Sequence, residues 1–181
     1  MKVIETPIND LLIIEPKVFG DSRGYFQETY SLQRYSELGI PPFVQDNHSY
    51  SQRGVLRGLH FQKQKPQGKL VFVTDGEVLD VAVDLRANSE TFGHCYSLIL
   101  SGDNHRQFWV PPGFAHGFCV LSETAHFQYK CTQYYDVADE GGIHWRDPDL
   151  AVDWPEDVEF SLSNKDQNLG SFQEYKKSLG L

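Results

Sequence analysis

Alternating apolar and polar residues predict a β-strand over residues 77–85. Every second residue from Leu79 to Leu85 is aliphatic, whereas the positions between them include Asp80 and Asp84. Successive side chains of a strand point to opposite faces, so the aliphatic face predicts contact with a core and the other face carries carboxylates. The preceding Asp75-Gly76 pair is typical of a two-residue turn that needs positive φ angles. We therefore expect residues 69–85 to form one hairpin.

Similar strand-like segments, separated by turn residues, recur along most of the chain. They are residues 24–30, 43–50, 55–62, 69–74, 77–85, 95–100, 107–110, 117–121 and 124–135. Two short helices are also predicted. One follows Ser31, where apolar residues at 32, 35 and 38 have helical spacing, and the other follows Ser171, which forms a capping-box pattern with Glu174. This pattern predicts an all-β, double-sheet antiparallel jelly roll, cupin-like, with peripheral helices, as a single domain over residues 1–181.

Composition narrows the class of protein. Of the 181 residues, 40% are hydrophobic and 13% aromatic, which suits one domain with a sizeable core. No apolar run approaches the roughly 20 residues that cross a bilayer, and the N-terminal residues lack a signal-peptide pattern. The three cysteines, without a C-x-x-C pair, favour neither a disulfide framework nor a thiolate zinc site. We expect a cytoplasmic protein with no membrane partner.

The charge distribution favours a small anionic ligand over nucleic acid. A formal net charge of -9 disfavours binding to nucleic acid, because phosphate contacts require a basic surface. Residues 47–74 nevertheless contain no Asp or Glu, while they include five Lys or Arg residues and two His. This window is either a solvated charged face or a surface that attracts a small anion.

Arg57 and His60 interrupt the otherwise apolar segment VLRGLHFQ. In a regular strand these two side chains would face opposite sides, so a shared pocket requires a bulge or bend near Gly58. The structural alternative is a core histidine with satisfied hydrogen bonds and an arginine paired with a surface carboxylate.

A second cluster, WVPPGFAHGF, places His116 directly after a rigid Pro-Pro-Gly turn. Its Pro-x-Gly-x-x-His spacing resembles the second metal motif of the cupins. The first cupin motif normally supplies His-x-His followed by Glu, whereas LHFQ contains only His60. We therefore expect no metal site.

Tyr129 and Tyr135 share one face of the predicted strand 124–135. Inward tyrosines are ordinarily core residues with a satisfied hydroxyl. Opposite a histidine, however, a tyrosine hydroxyl can serve as the acid that complements a base across a planar intermediate.

Together these segments resemble the dTDP-4-dehydrorhamnose 3,5-epimerase family. The matching stretches, between residues 15 and 166, are EPKVFGDSRGYFQE, FVQDNHSYS, VLRGLHFQ, QGKLVFVTDGEVLDVAVDLR, TFGH, RQFWVPPGFAHGFCVLSETAHFQYK and LSNKD. The resemblance implies a homodimeric jelly-roll enzyme without metal or redox cofactor. It also implies inversion of C3 and C5 of dTDP-4-dehydro-6-deoxy-D-glucose, giving dTDP-4-dehydro-L-rhamnose, through removal of a proton beside the C4 ketone and reprotonation of the enolate.

The resemblance further implies roles for individual residues. His60 matches the base, Tyr129 the acid, and Asp166 the carboxylate that orients the base. Asp80 and Asp84 are the alternative partners of His60 if Asp166 lies far away.

Lys69 matches a lysine that stabilises charge on the C4 oxygen; its alternative role is attraction of phosphate. Arg23, expected from the partner subunit, and Arg57 match arginines that bind the diphosphate, and Tyr135 matches the residue that stacks on thymine. The further positions implied in substrate binding are Glu28, Gln45, Asp46, Asn47, His116, Glu140 and Lys165.

Three alternative functions remain open at this point. A 3-epimerase acting on a related nucleotide-linked 4-keto-6-deoxy sugar would use the same scaffold. A non-catalytic cupin that binds sugar nucleotides would lack the base or the acid, but His60 and Tyr129 are both present. A metal-dependent cupin oxygenase is disfavoured by the missing His-x-His motif.

Overall fold

The computed structural model describes residues 1–181 and is built mainly of short strands. In chain order the elements are β1 (Lys2–Glu5), β2 (Leu12–Glu15), β3 (Val18–Asp21), β4 (Gly24–Gln27), α1 (Leu32–Ser36), β5 (Gln45–Gln52), β6 (Leu56–Gln62), β7 (Lys69–Asp75), β8 (Glu77–Asp84), β9 (Cys95–Ser101), β10 (Gln107–Val110), β11 (Phe114–Val120), β12 (Thr124–Cys131), β13 (Glu140–Gly142), α2 (Asn164–Gln167) and α3 (Phe172–Ser178). None of the helices is long and apolar enough to cross a membrane.

Two antiparallel sheets form the body of the molecule. The six-stranded sheet has the order β1-β2-β10-β7-β12-β5, and the five-stranded sheet has the order β13-β6-β11-β8-β9. Strands β3 and β4 pair only with each other, as a separate hairpin. This architecture confirms the predicted all-β jelly roll.

Apolar side chains at alternate strand positions fill the space between the two sheets. The largest core cluster contains 16 buried residues, among them Val73 and Phe127 from one sheet and Val78 and Phe118 from the other. Full burial of one such side chain stabilises the fold by roughly 1.5–3 kcal/mol. The alternation seen in the sequence therefore sets which face of each strand points inward.

Strand β8 is buried on both faces. Its aliphatic face, including Val81 and Val83, packs against Leu150, Trp154 and other residues of the C-terminal segment. Its opposite face looks into the jelly roll, where the carboxylates at positions 80 and 84 are fully buried. The predicted core face is confirmed, but the face with the carboxylates is buried as well.

The predicted hairpin over residues 69–85 is wrong. Strands β7 and β8 follow one another in the chain but belong to different sheets. Val73 and Val78, on either side of the turn, lie in the same core cluster, so crossing to the opposite sheet buries both strands against each other. Position 76 in the turn between β7 and β8 nevertheless requires glycine. Its φ is +82°, and an added Cβ would lie 2.1 Å from the Thr124 carbonyl oxygen.

Several predicted boundaries also differ. The strand predicted over 124–135 ends at Cys131, and the one predicted over 24–30 ends at Gln27. The short elements β1, β2, β3, β13 and α2 were not predicted. Both predicted helices are present as α1 and α3, and the capping box of Ser171 and Glu174 is formed in full.

Candidate active site

A β-bulge in β6 turns Arg57 and His60 toward the same space. Against β11, His60 pairs with His116 and Arg57 pairs with Phe118, so three residue steps on β6 match two on β11. Gly58 has φ +115°, and an added Cβ there would lie 2.6 Å from the β11 backbone. The bulge that the sequence required near Gly58 is therefore confirmed.

A cavity of about 600 Å³ opens between the two sheets beside this bulge. Eleven of the predicted site residues line it: Gln45, Asn47, Arg57, His60, Lys69, His116, Tyr129, Tyr135, Glu140, Lys165 and Asp166. The inward-facing positions of β5, β7 and β12 form one wall, and those of β6 and β11 form the other. The fold thus brings together side chains that are up to 121 positions apart in the sequence.

His60 is held by a buried carboxylate. Its Nε2 lies 2.5 Å from Asp166 Oδ1, and Ser163 Oγ donates to Asp166 Oδ2 at 2.7 Å. Burial acts to raise the pKa of Asp166, but the hydrogen bonds from His60 and Ser163 outweigh it and keep that pKa below its usual value. An ionised Asp166 accepts a hydrogen bond from Nε2–H of His60, which leaves Nδ1 with a lone pair suited to take a proton.

Short helix α2 positions this carboxylate. Ser163 is its N-cap residue and accepts a hydrogen bond from the Asp166 backbone at 3.1 Å. Sequence reasoning missed Ser163, although the Ser-x-x-Asp spacing before a helix was the available signal. Of the alternative partners of His60, Asp84 instead accepts hydrogen bonds from Arg86 and from the hydroxyls of the following loop.

A second histidine–carboxylate pair lies beside the first. His116 Nε2 is 2.9 and 3.0 Å from the two carboxylate oxygens of Asp80, and both residues are buried. Asp80 therefore serves His116 and not His60. The adjacent Phe127 ring, stacked on Phe118 with 4.1 Å between centroids, closes this part of the cavity with an apolar surface.

The opposite wall carries Tyr129 and Lys69. They lie on neighbouring strands, because Tyr129 pairs with Val71 and Lys69 pairs with Cys131. Burial raises the pKa of the Tyr129 hydroxyl and lowers the pKa of the Lys69 ammonium group. The wall facing the histidines thus combines a phenol whose pKa is raised with an ammonium group whose pKa is lowered.

Polar groups surround the mouth of the cavity. Lys165 donates to Glu140 at 2.8 Å, and the Tyr135 hydroxyl donates to Glu140 at 3.1 Å. The Tyr135 backbone donates to Gln45, whose side-chain amide in turn donates to Asn47. Tyr135 lies beyond the end of β12 and is half exposed, which leaves a ring face available for stacking.

Three predicted substrate-binding residues do not line this cavity. Arg23 lies at the tip of the β3–β4 hairpin and pairs with Asp21, while Glu28 pairs with Arg34. Asp46 points away from the cavity on β5, where it accepts hydrogen bonds from Lys130.

No group of three or more His, Cys, Asp or Glu residues lies close enough to hold a metal ion. The two cavity histidines each have one ring nitrogen bound to a carboxylate.

The fold and the cavity define a jelly-roll enzyme of acid–base chemistry, in which histidine–carboxylate pairs face a tyrosine and a lysine. A model of the dTDP-4-dehydrorhamnose 3,5-epimerase family matches residues 5–174. The chain belongs to this family of isomerases. It is 52% identical to the dTDP-4-dehydrorhamnose 3,5-epimerase of Escherichia coli (strain K12) over 177 residues, 96% of each chain. It is 51% identical to that of Methanothermobacter thermautotrophicus over 170 residues, 92% of each chain.

Solved structures agree with this assignment. The epimerase from Legionella pneumophila Philadelphia 1, in complex with dTDP-4-keto-L-rhamnose, is 56% identical with a TM-score of 0.93, covering 95% of this chain and 93% of that chain. ChmJ, a 3'-monoepimerase from Streptomyces bikiniensis in complex with dTDP-quinovose, is 31% identical with a TM-score of 0.90, covering 97% of this chain and 90% of that chain. One scaffold therefore carries both kinds of epimerase.

Proposed function

We propose that this cavity carries out the 3,5-epimerase reaction of its family by acid–base catalysis between His60 and Tyr129. The substrate is dTDP-4-dehydro-6-deoxy-D-glucose and the product is dTDP-4-dehydro-L-rhamnose. The observation that carries the proposal is the position of the two groups on opposite walls, with His60 hydrogen-bonded to Asp166. Inversion of a carbon requires a base on one face and an acid on the other.

Each inversion proceeds in two proton transfers. His60 Nδ1 removes the proton from a carbon beside the C4 ketone, and the electron pair moves to the C4 oxygen as an enolate. The Tyr129 hydroxyl then gives its proton to the opposite face of that carbon. Because the cycle leaves an imidazolium and a phenolate, both groups exchange protons with solvent before the second carbon reacts. Asp166 stabilises the imidazolium.

Lys69 stabilises the negative charge that develops on the C4 oxygen. It projects from the same wall as Tyr129, two strand positions toward the mouth, and a buried cation interacts with a new oxyanion more strongly than it would in water. His116, held by Asp80, contacts the sugar by hydrogen bonding and leaves proton transfer to His60.

The nucleotide occupies the polar mouth of the cavity. Tyr135 stacks on the thymine, and Arg57 attracts the diphosphate with its exposed guanidinium group. Gln45, Asn47, Glu140 and Lys165 supply further hydrogen bonds to the ligand. The hydrogen bonds that join Gln45 to Asn47, and Glu140 to both Tyr135 and Lys165, support this assignment.

A homodimer completes the diphosphate site with Arg23 of the partner subunit. The β3–β4 hairpin pairs with no other strand and exposes Phe19, Tyr25 and Phe26, the last by 68%. An isolated two-stranded hairpin is marginally stable in water, and exposed aromatic clusters mark interaction surfaces.

Residues 1–181 of each subunit act as one domain, consistent with the single family match over residues 5–174. The three cysteines are free thiols, which supports a reducing, cytoplasmic location.

The proposed chemistry uses no metal or redox cofactor, because the C4 ketone of the substrate already stabilises the carbanion. Activity is expected to persist after exhaustive treatment with EDTA followed by gel filtration. Loss of activity that is restored by iron, manganese or zinc would show that the reaction needs a metal.

Deuterated water tests the number of carbons inverted. Each inversion replaces a substrate proton with one from the solvent-exchanged acid, so NMR of the product is expected to show deuterium at both C3 and C5. Deuterium at C3 alone would assign the 3-epimerase reaction instead and would leave the acid–base mechanism standing.

Variants in the same experiment test the two residues. His60→Ala is expected to abolish both exchange and epimerisation, whereas Tyr129→Phe retains exchange on the His60 face after epimerisation is lost. Tyr134→Phe and His94→Ala, which change exposed side chains outside the cavity, serve as matched controls. A folded His60→Ala variant that exchanges deuterium at the normal rate would remove His60 from the role of base.

A further inference from the structure

The loop between β12 and β13 carries Tyr135, the residue to which the proposed function assigns the thymine. Because β12 belongs to the six-stranded sheet and β13 to the five-stranded sheet, residues 132–139 cross from one sheet to the other at the mouth of the cavity. The Tyr135 side chain is 51% exposed. Packing fixes such a ring only in part, so its position as a stacking surface depends on how the backbone on either side of it is held.

One buried side chain binds both peptide groups that flank Tyr135. Gln62, the last residue of β6, donates from Nε2 to the Tyr134 carbonyl oxygen at 3.3 Å and accepts at Oε1 from the Asp136 backbone N–H at 2.7 Å. Its Nε2 also donates to the Lys65 carbonyl oxygen at 2.8 Å. These bonds use both hydrogens of the amide group, and the two acceptors and one donor around it fix which end of the amide is nitrogen.

Only an amide side chain satisfies all three of these backbone groups. A carboxylate has no hydrogen to donate to the two carbonyl oxygens, and an aliphatic side chain would leave all three groups without a partner. Gln62 is 6% exposed, and an unpaired polar group at such a position is costly. Gln62 does not line the cavity, so its amide group serves the loop and not the ligand directly.

The far end of the loop is anchored separately. The Asp139 carboxylate accepts hydrogen bonds from the backbone N–H groups of Gln64 and Lys65, both at 2.8 Å. These bonds attach the end of the loop to the connection between β6 and β7 without using the Gln62 side chain. A change at Gln62 therefore acts on the part of the loop around Tyr135.

Resting on the proposed function, we infer that Gln62 is a positioning residue for the nucleotide, whose amide group holds Tyr135 where the thymine ring stacks. The bonds to the peptide groups on either side of Tyr135 carry this inference. Since Gln62 touches neither the sugar nor the reacting carbons, it acts on nucleotide binding and not on proton transfer.

Removal of the amide group tests this role. Gln62→Leu is expected to raise the Kd for dTDP in calorimetry by about 10-fold, an effect of the size of one lost stacking contact between a base and an aromatic ring. The KM for the substrate is expected to rise with it while kcat stays unchanged, because His60 and Tyr129 keep their places. Gln64→Leu, the same replacement at an exposed side chain two positions later, is the matched control and is expected to change neither quantity. An unchanged Kd for dTDP in Gln62→Leu, or a loss confined to kcat, would overturn the inference.

A double-mutant cycle with Tyr135→Ala shows whether the effect of Gln62 passes through the tyrosine ring. Without the ring, the amide group has nothing to position, so the double variant is expected to bind dTDP as tightly as Tyr135→Ala alone. Losses of affinity that add in full would contradict the inference.

Gln62→Asn provides a second variant in case Gln62→Leu does not fold. It keeps an amide group but shortens the side chain by one methylene, so its bonds to the loop weaken; it is expected to bind dTDP less tightly than the unmodified protein, with kcat unchanged. Equal affinity in Gln62→Asn and the unmodified protein would overturn the inference. Failure of the proposed function would appear separately, as a Tyr135→Ala variant that binds dTDP normally or an unmodified protein that inverts neither C3 nor C5.

Discussion

Lys69 and Tyr129 face the same cavity, yet burial moves their pKa values in opposite directions. Desolvation disfavours whichever form is charged, so it lowers the pKa of Lys69 from its ordinary 10.5 and raises the pKa of Tyr129 above 10.0. Burial therefore makes the Lys69 ammonium group easier to deprotonate than a free lysine, and the Tyr129 hydroxyl harder to deprotonate than a free tyrosine.

The lowered pKa of Lys69 predicts where the pH–rate profile falls on its alkaline side. In the unmodified protein, kcat is expected to fall at a pH below 10.5, as Lys69 becomes neutral. In Lys69→Arg the guanidinium stays charged above pH 12, so the limb is expected to move to higher pH even if the maximal rate is lower. Steady-state kcat measured between pH 6 and 11 checks this. An alkaline limb that keeps its position in Lys69→Arg would assign it to another group.

At the scale of elements, the bulge in β6 is what allows Arg57 and His60 to share one cavity. Alanine at Gly58 would place a Cβ 2.6 Å from the Gly117 Cα and 2.7 Å from the His116 carbonyl oxygen, at a φ that L-residues rarely adopt. We expect Gly58→Ala to destabilise the protein by roughly 2–4 kcal/mol and to reduce kcat/KM by more than about 100-fold, since displacement of the reacting groups by 1 Å costs this much.

Thermal unfolding and steady-state kinetics measure the two effects. Gly20→Ala is the steric control for stability, because its Cβ would approach no atom closer than 3.8 Å. A Gly58→Ala variant with unchanged melting temperature and activity would show that β6 accommodates the side chain without moving His60.

Local sequence patterns predicted most of the strands and helices, but they did not predict which strands pair with each other. The alternation in β8 and the capping box of α3 are set by neighbouring residues, and both were predicted from the sequence. Whether β7 and β8 pair is decided by the burial of their inward faces against other strands, which the Asp75-Gly76 pair does not report. The four-residue strands of the N-terminal region are too short to show a reliable period.

In the candidate site, too, the sequence indicated individual residues better than the contacts between them. The histidines stand out in the sequence as polar residues in apolar segments, and the need for a bulge followed from the spacing of Arg57 and His60. The pairing of His60 with Asp166 joins residues 106 positions apart, so it came from family resemblance and not from spacing.

At the scale of the whole molecule, the proposed dimer predicts complementation between two inactive variants. Arg23→Ala lacks the arginine that one subunit gives to its partner, and His60→Ala lacks the base. After subunit exchange, the mixed dimer contains one cavity with both residues, so a mixture of equal amounts is expected to regain about a quarter of the unmodified activity under random pairing.

Size-exclusion chromatography coupled to light scattering establishes the dimer, and differently tagged subunits establish the exchange. Each variant incubated alone provides the baseline. Confirmed exchange without recovery of activity would mean that each cavity is complete within one chain.

The position of Asp166 also has a consequence for biosynthesis. Both sheets are encoded by residue 142, whereas the carboxylate that orients His60 comes 24 residues later, in the segment whose Leu150 and Trp154 cover the outer face of β8. A polypeptide emerging from the ribosome thus contains every strand before it contains the partner of its base. Premature termination after residue 142 yields a chain that has His60 and Tyr129 but neither an oriented imidazole nor a cover over the outer face of β8, so translation must reach Asp166 before the catalytic pair exists.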